Sequence, residues 1–277
     1  MFDEYKVWLT KQGNVDGTIK TYILSIEQYM QWYSGTFGTD MTMMLHENIM
    51  DYRSYLKNVR RLKSLTVNNK LSALISYDGF LIETGRQKES AVSKKDLLRT
   101  QAVYTSPGDL VEKDVDSFRQ RILLEKGKRD HALITILAYA GLRISETLAL
   151  SPEDVDLVGR QITVQKGKGN KERVVYIGDK IIHAVRNYLK ELAQGEQWLF
   201  PGRGNEHLDR SVINKLCNEF SDKITPHRLR HFYCSHALEK GYSVHEVANQ
   251  AGHSNIHTTL RYSNPNSDAM REKANKL

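Results

Sequence analysis

The sequence predicts a two-domain protein. An all-α helical bundle covers residues 1–87, a basic linker 88–105, and a mixed, mostly α-helical domain with a small antiparallel β-sheet 106–277. Three observations point there. A chain of 277 residues is long for one small core and suits two domains. Apolar residues recur at spacings of three and four before Gly85. Further on, two short β-branched runs flank a glycine-bearing loop.

The elements follow in order. Phe2 to Leu9 has a short helical pattern. In Thr18 to Tyr33, the residues Tyr22, Ile26, Tyr29 and Tyr33 share one helical face, a pattern of core packing rather than base stacking. Ile49 to Val59 repeats the spacing, and so does Thr66 to Thr84 through Val67, Leu71, Leu74, Ile75 and Leu81, with Gly85 as the stop. Four helices in so short a stretch make a compact all-α domain. Arg86 to Arg99 carries five basic and two acidic residues with little apolar periodicity, and reads as a solvated, mobile connector.

In the second domain, Asp130 to Ala140 is an apolar helix ended by Gly141. Ser151-Pro152 is a helix start, with serine as N-cap and proline in the first position. Ile162 to Val164 and Val174 to Ile177 lie on either side of Lys166-Gly167-Lys168-Gly169-Asn170, a β-hairpin with a basic loop. Lys180 to Leu192 is helical. Thr225-Pro226 starts a helix running to Gly241. Ser243 and Glu246 form a capping box for the next, which stops at Gly252, and Asn255 to Tyr262 is a last short helical stretch.

Composition narrows the function. The net charge is +7, split as +3 over residues 1–105 and +4 over 106–277. A basic balance in both parts suits one shared polyanion, with DNA or RNA first. Cys217 and Cys234 are the only cysteines and lie far apart, so no disulfide framework is expected and a reducing compartment fits. The N-terminal segment has acidic residues and no apolar signal region, and the longest apolar run, Ala132 to Leu142, is too short to span a bilayer. A soluble, cytoplasmic protein with no membrane partner is the expectation.

Arg143 follows Gly141-Leu142 at a helix break, Lys168 sits at the hairpin tip, His227 and Arg230 share a helical face, His253 follows Gly252, and Tyr262 comes nine residues later. Singly, each is an ordinary surface or core residue. His227 and His231 have metal-ligand spacing, but Arg228 stands where a zincin motif needs glutamate, and the cationic neighbours repel an ion. The glycine-bearing loop joins two strands and lacks the Walker A pattern. No metal, nucleotide or other cofactor is therefore expected. Two arginines, a lysine and two histidines suit a phosphate that gains charge in a transition state, with arginine as bidentate donor and lysine as mobile charge and proton source.

Four segments carry a resemblance: Ala140-Gly-Leu-Arg-Ile-Ser-Glu146, Gly167-Lys-Gly-Asn-Lys-Glu-Arg173, Pro226-His-Arg-Leu-Arg-His231, and Gly252-His-Ser254 leading to Thr258-Thr-Leu-Arg-Tyr262. Their order and spacing resemble the tyrosine recombinase (phage-integrase-type) family, most nearly its Xer-like and transposon- or plasmid-borne resolvase-type members. The resemblance implies that the N-terminal bundle is a core-binding, SAM-like domain and the second a catalytic domain. It implies that Arg143 and Arg230 clamp the scissile phosphate, Lys168 is the general acid, His227 an acid–base partner, and His253 a hydrogen-bond donor to the phosphate. Glu146 is then the auxiliary carboxylate and Tyr262 the nucleophile. It further implies site-specific recombination through a covalent 3′-phosphotyrosyl intermediate, without metal or ATP, by a homotetramer on two double-stranded DNA sites, with accessory DNA-binding proteins an open question. Ala251, where many members have leucine, and Phe232-Tyr233-Cys234 depart from the family pattern outside these positions. Two other readings stay open, a type IB topoisomerase-like enzyme and a non-catalytic DNA-binding protein. In the tail, Met270, Ala274 and Leu277 have helical spacing, suited to packing on a neighbouring protomer or on their own domain.

Overall fold

The protein is described by a computed structural model covering residues 2–100, 110–165, 172–253, 255–260, 262 and 275. The chain divides into two compact units, Met1–Ala102 and Val103–Leu277.

Unit 1 is all α. It comprises α1 (Phe2–Lys11), α2 (Asp16–Phe37), α3 (His46–Ser54) running into a π-helical turn (Tyr55–Val59), and α4 (Ser64–Glu83). The helical faces read from the sequence are buried at their centres, with Tyr22, Tyr33 and Ile75 half-buried at the edges. Ile26 and Tyr29 of α2 and Val67, Leu71 and Leu74 of α4 are fully buried, and Gly85 ends the run with a φ of +70°. Rings fill this core. Tyr5 meets Tyr77 edge-on with centroids 5.0 Å apart, and Tyr29 meets Tyr52 in the same way at 5.0 Å.

The solvated character expected of residues 86–99 is corrected by the packing of their first part. Buried Asp78 accepts hydrogen bonds from Gln87 Nε2 (2.8 Å), Ser90 Oγ (2.7 Å) and the Ala91 N–H (3.1 Å). Ala91 and Val92 are buried with the bundle. One carboxylate with three donors fixes a segment that periodicity alone cannot assign.

Unit 2 contains α5 (Glu112–Lys126), α6 (Lys128–Tyr139), α7 (Ile144–Leu148), strands β1 (Val155–Asp156), β2 (Gln161–Val164) and β3 (Arg173–Tyr176), then α8 (Asp179–Leu189), α9 (Arg210–Phe220), α10 (Pro226–Glu239), α11 (Val244–Ala251) and α12 (His257–Leu260). Every residue of α6 from Asp130 to Ala138 is buried, as befits a helix apolar nearly all round. The sheet is antiparallel in the order β1-β2-β3, with Ile162 opposite Val175. The expected hairpin is thus β2–β3, and β1 is an addition. Ser151-Pro152 starts only a single 3₁₀ turn, because Asp154 caps back onto Ser151 and Val155 turns inward as the first residue of β1. The sequence reading also passed over α5 and α9. Their apolar residues, Val115, Phe118 and Ile122, and Ile213, Leu216, Cys217 and Phe220, have helical spacing and are buried.

Lys180 of α8 ties the helices together through Glu112 Oε1 (2.9 Å), Asp116 Oδ2 (2.6 Å) and Tyr139 Oη (3.0 Å). Both cysteines are unpaired thiols and buried. Among the described residues, no helix is long and apolar enough to cross a membrane.

Candidate active site

Local turns place the candidate side chains. Arg143 is the N-cap of α7. Its N–H donates to Glu146 Oε2 (2.8 Å), Nη1 to Glu146 Oε1 (2.6 Å), and Nη2 to the Gly252 carbonyl (2.7 Å). At Thr225 the hydroxyl accepts the Arg228 N–H (3.2 Å) and Pro226 opens α10, so His227 and Arg230 emerge one turn apart. Arg230 is buried and donates from Nη1 to the Gly141 carbonyl (2.5 Å).

Gly141 has a φ of +67°, and a Cβ there would lie 2.3 Å from Tyr233 Cδ1, so this turn requires glycine. Gly252, at φ +68°, ends α11 and delivers His253. A Cβ there would lie 2.6 Å from Arg173 Cζ. His253 Nδ1 is 2.7 Å from Thr259 Oγ1, which fixes the ring through α12.

These elements converge on one cleft of about 570 Å³. Arg143, His227, Arg230, His253 and Tyr262 all line it, joined by Arg210 and Asn214 of α9. Glu146 stands behind Arg143, its carboxylate buried. Lys168 lies outside the described residues, as does nearly all of the tail read for helical spacing.

The cleft is cationic, and the charges act on one another. Burial raises the Glu146 pKa, but hydrogen bonds from Arg173 and the Arg143 N–H outweigh it and hold the carboxyl below its usual range. Burial, then the Arg143 charge, lowers the Arg230 pKa, although an arginine stays protonated in any protein. Burial, then Arg230 and Arg143, pushes His253 down to about 4. His227 is lowered by burial, Arg230 and Arg210. Both shifts favour the neutral imidazole near pH 7.

The sequence reading missed four contributors. Arg210 and Asn214 come from the unanticipated α9. Arg173, quoted only as the end of a motif, donates to both Glu146 oxygens (3.1 and 2.8 Å) and to the carbonyls of Gln250 (3.3 Å) and Ala251 (3.4 Å). Its place directly after the basic loop was the available signal. His231, weighed only as a metal ligand, lies with Nε2 2.6 Å from Nε2 of His227. Among the described residues, no group of three or more His, Cys, Asp or Glu is placed to hold a metal ion.

Comparison with known proteins agrees with this architecture. Residues 110–268 match the phage integrase family, and residues 2–77 match the phage integrase N-terminal SAM-like domain. The chain is 40% identical to the TnP I resolvase of Bacillus thuringiensis, over 99% of its own length and 98% of the relative's. It is 28% identical to the tyrosine recombinase XerA of Thermococcus kodakarensis, over 100% and 94% of the two chains. Among solved structures, the Tn1549 transposon integrase in complex with transposon right end DNA shares the fold with a TM-score of 0.73 at 20% identity, over 99% and 98% of the two chains. The family matches and the near full-length resolvase likeness, added to a cleft lined by residues of three of the four quoted segments, establish that the chain belongs to the phage integrase, or tyrosine recombinase, family and is a site-specific recombinase.

Proposed function

We propose that this enzyme cleaves and rejoins double-stranded DNA through a bond between Tyr262 Oη and phosphorus. The observation that carries the reading is the convergence of Arg143, Arg230, His253 and Tyr262, from three separate stretches of chain, on a single cleft. The arginines hold the non-bridging oxygens, and their charge stabilises the phosphorane-like transition state. His253 donates to the same phosphate, and Glu146 positions Arg143 from behind. A free tyrosine is only about 0.1% phenolate at pH 7, a deficit of about 4 kcal/mol, so acid–base help from His227 aids the attack. The departing 5′-oxygen is far more basic than a phenolate, and Lys168 supplies its proton. One phosphoester replaces another, so the 3′-phosphotyrosine conserves the bond energy and rejoining needs no ATP or metal.

The likeness to a resolvase along nearly the whole chain favours resolution of DNA molecules at short inverted-repeat core sites, by a homotetramer on two sites. The basic charge of residues 1–105 suits a core-binding role for the N-terminal unit, with a domain layout of 1–87, 88–105 and 106–277.

The test uses a nicked suicide substrate that traps the covalent adduct. Wild-type protein accumulates adduct, including in excess chelator, and Tyr262→Phe forms none. An adduct with Tyr262→Phe, or strict dependence on a divalent ion, would sink the proposal. Lys168→Ala should cleave slowly while binding DNA nearly as before, since one lost phosphate contact changes affinity little. A 5′-phosphorothiolate leaving group, which needs no proton, should restore its rate.

A further inference from the structure

His231 is the one histidine of the Pro226–His231 segment that the reading above leaves without a task. It lies one turn beyond His227 on α10, so the two rings share a helical face. Their Nε2 atoms are 2.6 Å apart, and the rings meet edge-on with centroids at 4.1 Å. On its other side, His231 packs against the Tyr262 ring at 5.0 Å and 68°. It therefore touches both the proposed acid–base group and the proposed nucleophile.

Two ring nitrogens at this distance cannot both carry protons, and one must donate to the other. Because Nε2 of His227 is taken up by His231, Nδ1 is the ring nitrogen left to serve the cleft. If His231 donates, the His227 proton sits on Nδ1 and that atom cannot accept another. If His227 donates, Nδ1 carries a lone pair. The surrounding charge selects between the two. The titratable and charged groups acting on the pair are Arg210 from α9, Arg228 and Arg230 from α10 itself, His253 after α11 and Tyr262 after α12. Arg210 and Arg230 line the same cleft as His227, and cations favour a lone pair over an N–H dipole turned toward them.

We propose that His231 is a positioning residue: it accepts the Nε2 proton of His227 and so leaves the His227 Nδ1 lone pair to take the phenol proton of Tyr262. The proposal rests on the reading of His227 as an acid–base partner. In the step, the Tyr262 O–H bond breaks as Oη bonds to phosphorus. The P–O5′ bond breaks with its electron pair on O5′, which takes a proton from Lys168. The phenol proton goes to His227 Nδ1, and the resulting imidazolium donates Nε2–H to neutral His231. Rejoining returns both protons. Burial, then His227, Arg230 and Arg228, holds His231 down to about 4, which keeps it a neutral acceptor at neutral pH.

The test compares His231→Phe, which keeps a ring against Tyr262 but has no acceptor, with His231→Gln, whose amide oxygen can accept. Single-turnover adduct formation on the suicide substrate is followed against pH. His231→Phe should be slower by about ten- to a hundredfold, the usual loss for an orienting partner, with the acid limb of its profile at lower pH because the His227 imidazolium has lost its acceptor. His231→Gln should regain most of the rate and the original limb. Equal rates for His231→Phe and wild type, an unmoved limb, or a glutamine variant as poor as phenylalanine would overturn the proposal. A second measurement needs no variant at position 231. In ¹⁵N-histidine-labelled full-length protein, with His227 assigned through His227→Gln, Nε2 of His227 should carry the proton and Nδ1 the lone pair. The opposite tautomer overturns the inference. His227→Ala separates this from the parent reading: full cleavage by that variant would remove the catalytic role of His227, while the tautomer measurement still reports on His231.

Discussion

In unit 1 the largest fully buried side chains are Tyr5, Tyr29, Tyr52, Tyr77 and Phe80, and the buried polar ones are Ser25, Asp78 and Gln87. Unit 2 packs mainly Leu, Ile, Val and Ala around α6, and buries Arg119, Asp130, His131, Arg230 and Gln250 among them. Both units set tyrosines beside cations: a hollow of unit 1 is lined by Tyr52, Tyr55, Arg60 and Lys70, whereas the cleft of unit 2 gathers three arginines and two histidines around one tyrosine. Burial pushes the phenols of Tyr52 and Tyr77 up to about 12, so a core tyrosine is a worse nucleophile than a free one. Tyr262 instead lines a cleft with Arg143, Arg210 and Arg230. What separates the two is the cluster of arginines and histidines around Tyr262 against the deep burial of Tyr52, and the number of tyrosines is irrelevant.

The largest effect expected from this contrast is total. Tyr262→Phe should remove all covalent adduct, whereas Tyr52→Phe in the same full-length protein should form adduct at the wild-type rate. Loss of adduct in Tyr52→Phe, with the fold intact by circular dichroism, would break the division of labour between the units.

Gly252→Ala should come next. The left-handed backbone costs a non-glycine residue about 1–2 kcal/mol, and the new Cβ lies within contact of Arg173. Arg173 must give way, and with it the support of Glu146 and Arg143. Adduct formation should fall at least about tenfold, as for other losses of an orienting group, while urea denaturation reports a modest stability loss. A variant that cleaves normally would show that Arg173 is no strut for the site.

Acid should separate the units by a smaller margin. In unit 2, His131, His231 and His253 are each pushed down to about 4, by burial first and neighbouring cations second. Their folded values lie below the unfolded one, so their contribution is complete above about pH 6.5 and is lost as pH falls toward about 4. Glu146 and Asp116 are also held below their usual range, although burial opposes it. Their contribution is lost at lower pH still. Hydrogen exchange on the full chain at about pH 7 and about pH 5, corrected for intrinsic rates, should therefore show α10 and α11 losing protection while α2 and α4 keep theirs. Equal loss in both units would contradict the charge distribution described.

The smallest effect is a gain. The Tyr29 hydroxyl is buried and has no hydrogen-bond partner among the described residues. Tyr29→Phe removes an unsatisfied polar group and should leave stability unchanged or raise it by up to about 1 kcal/mol in urea unfolding. A loss larger than that would mean that the hydroxyl is satisfied in solution.

Legibility followed the range of the interactions. Faces such as Tyr22, Ile26, Tyr29 and Tyr33, the capping box of Ser243 and Glu246, and the glycine stops at Gly85, Gly141 and Gly252 could be read directly, because each depends on residues within a turn or two. Three helices, α5, the short α7 and α9, escaped, though α9 has as clear an apolar face as α8, and with α9 went Arg210 and Asn214. The packed segment at Gln87–Val92 was misread as solvated because its partner, Asp78, comes from another element and supplies a polar anchor where apolar spacing is absent.

The amino-acid sequence by itself determined the family, the two-domain order and the kinds of side chain available for phosphate chemistry, since motif order and periodicity are properties of the chain alone. Only the tertiary structure decided that Arg173 braces Glu146 from β3, that His231 faces both His227 and Tyr262, and that α9 forms a wall of the cleft. Those contacts join residues from separate elements at distances of a few ångströms, and their energies depend on burial and on the charges nearby. Neither quantity is written in local spacing, so neither exists for the reader until the chain has folded.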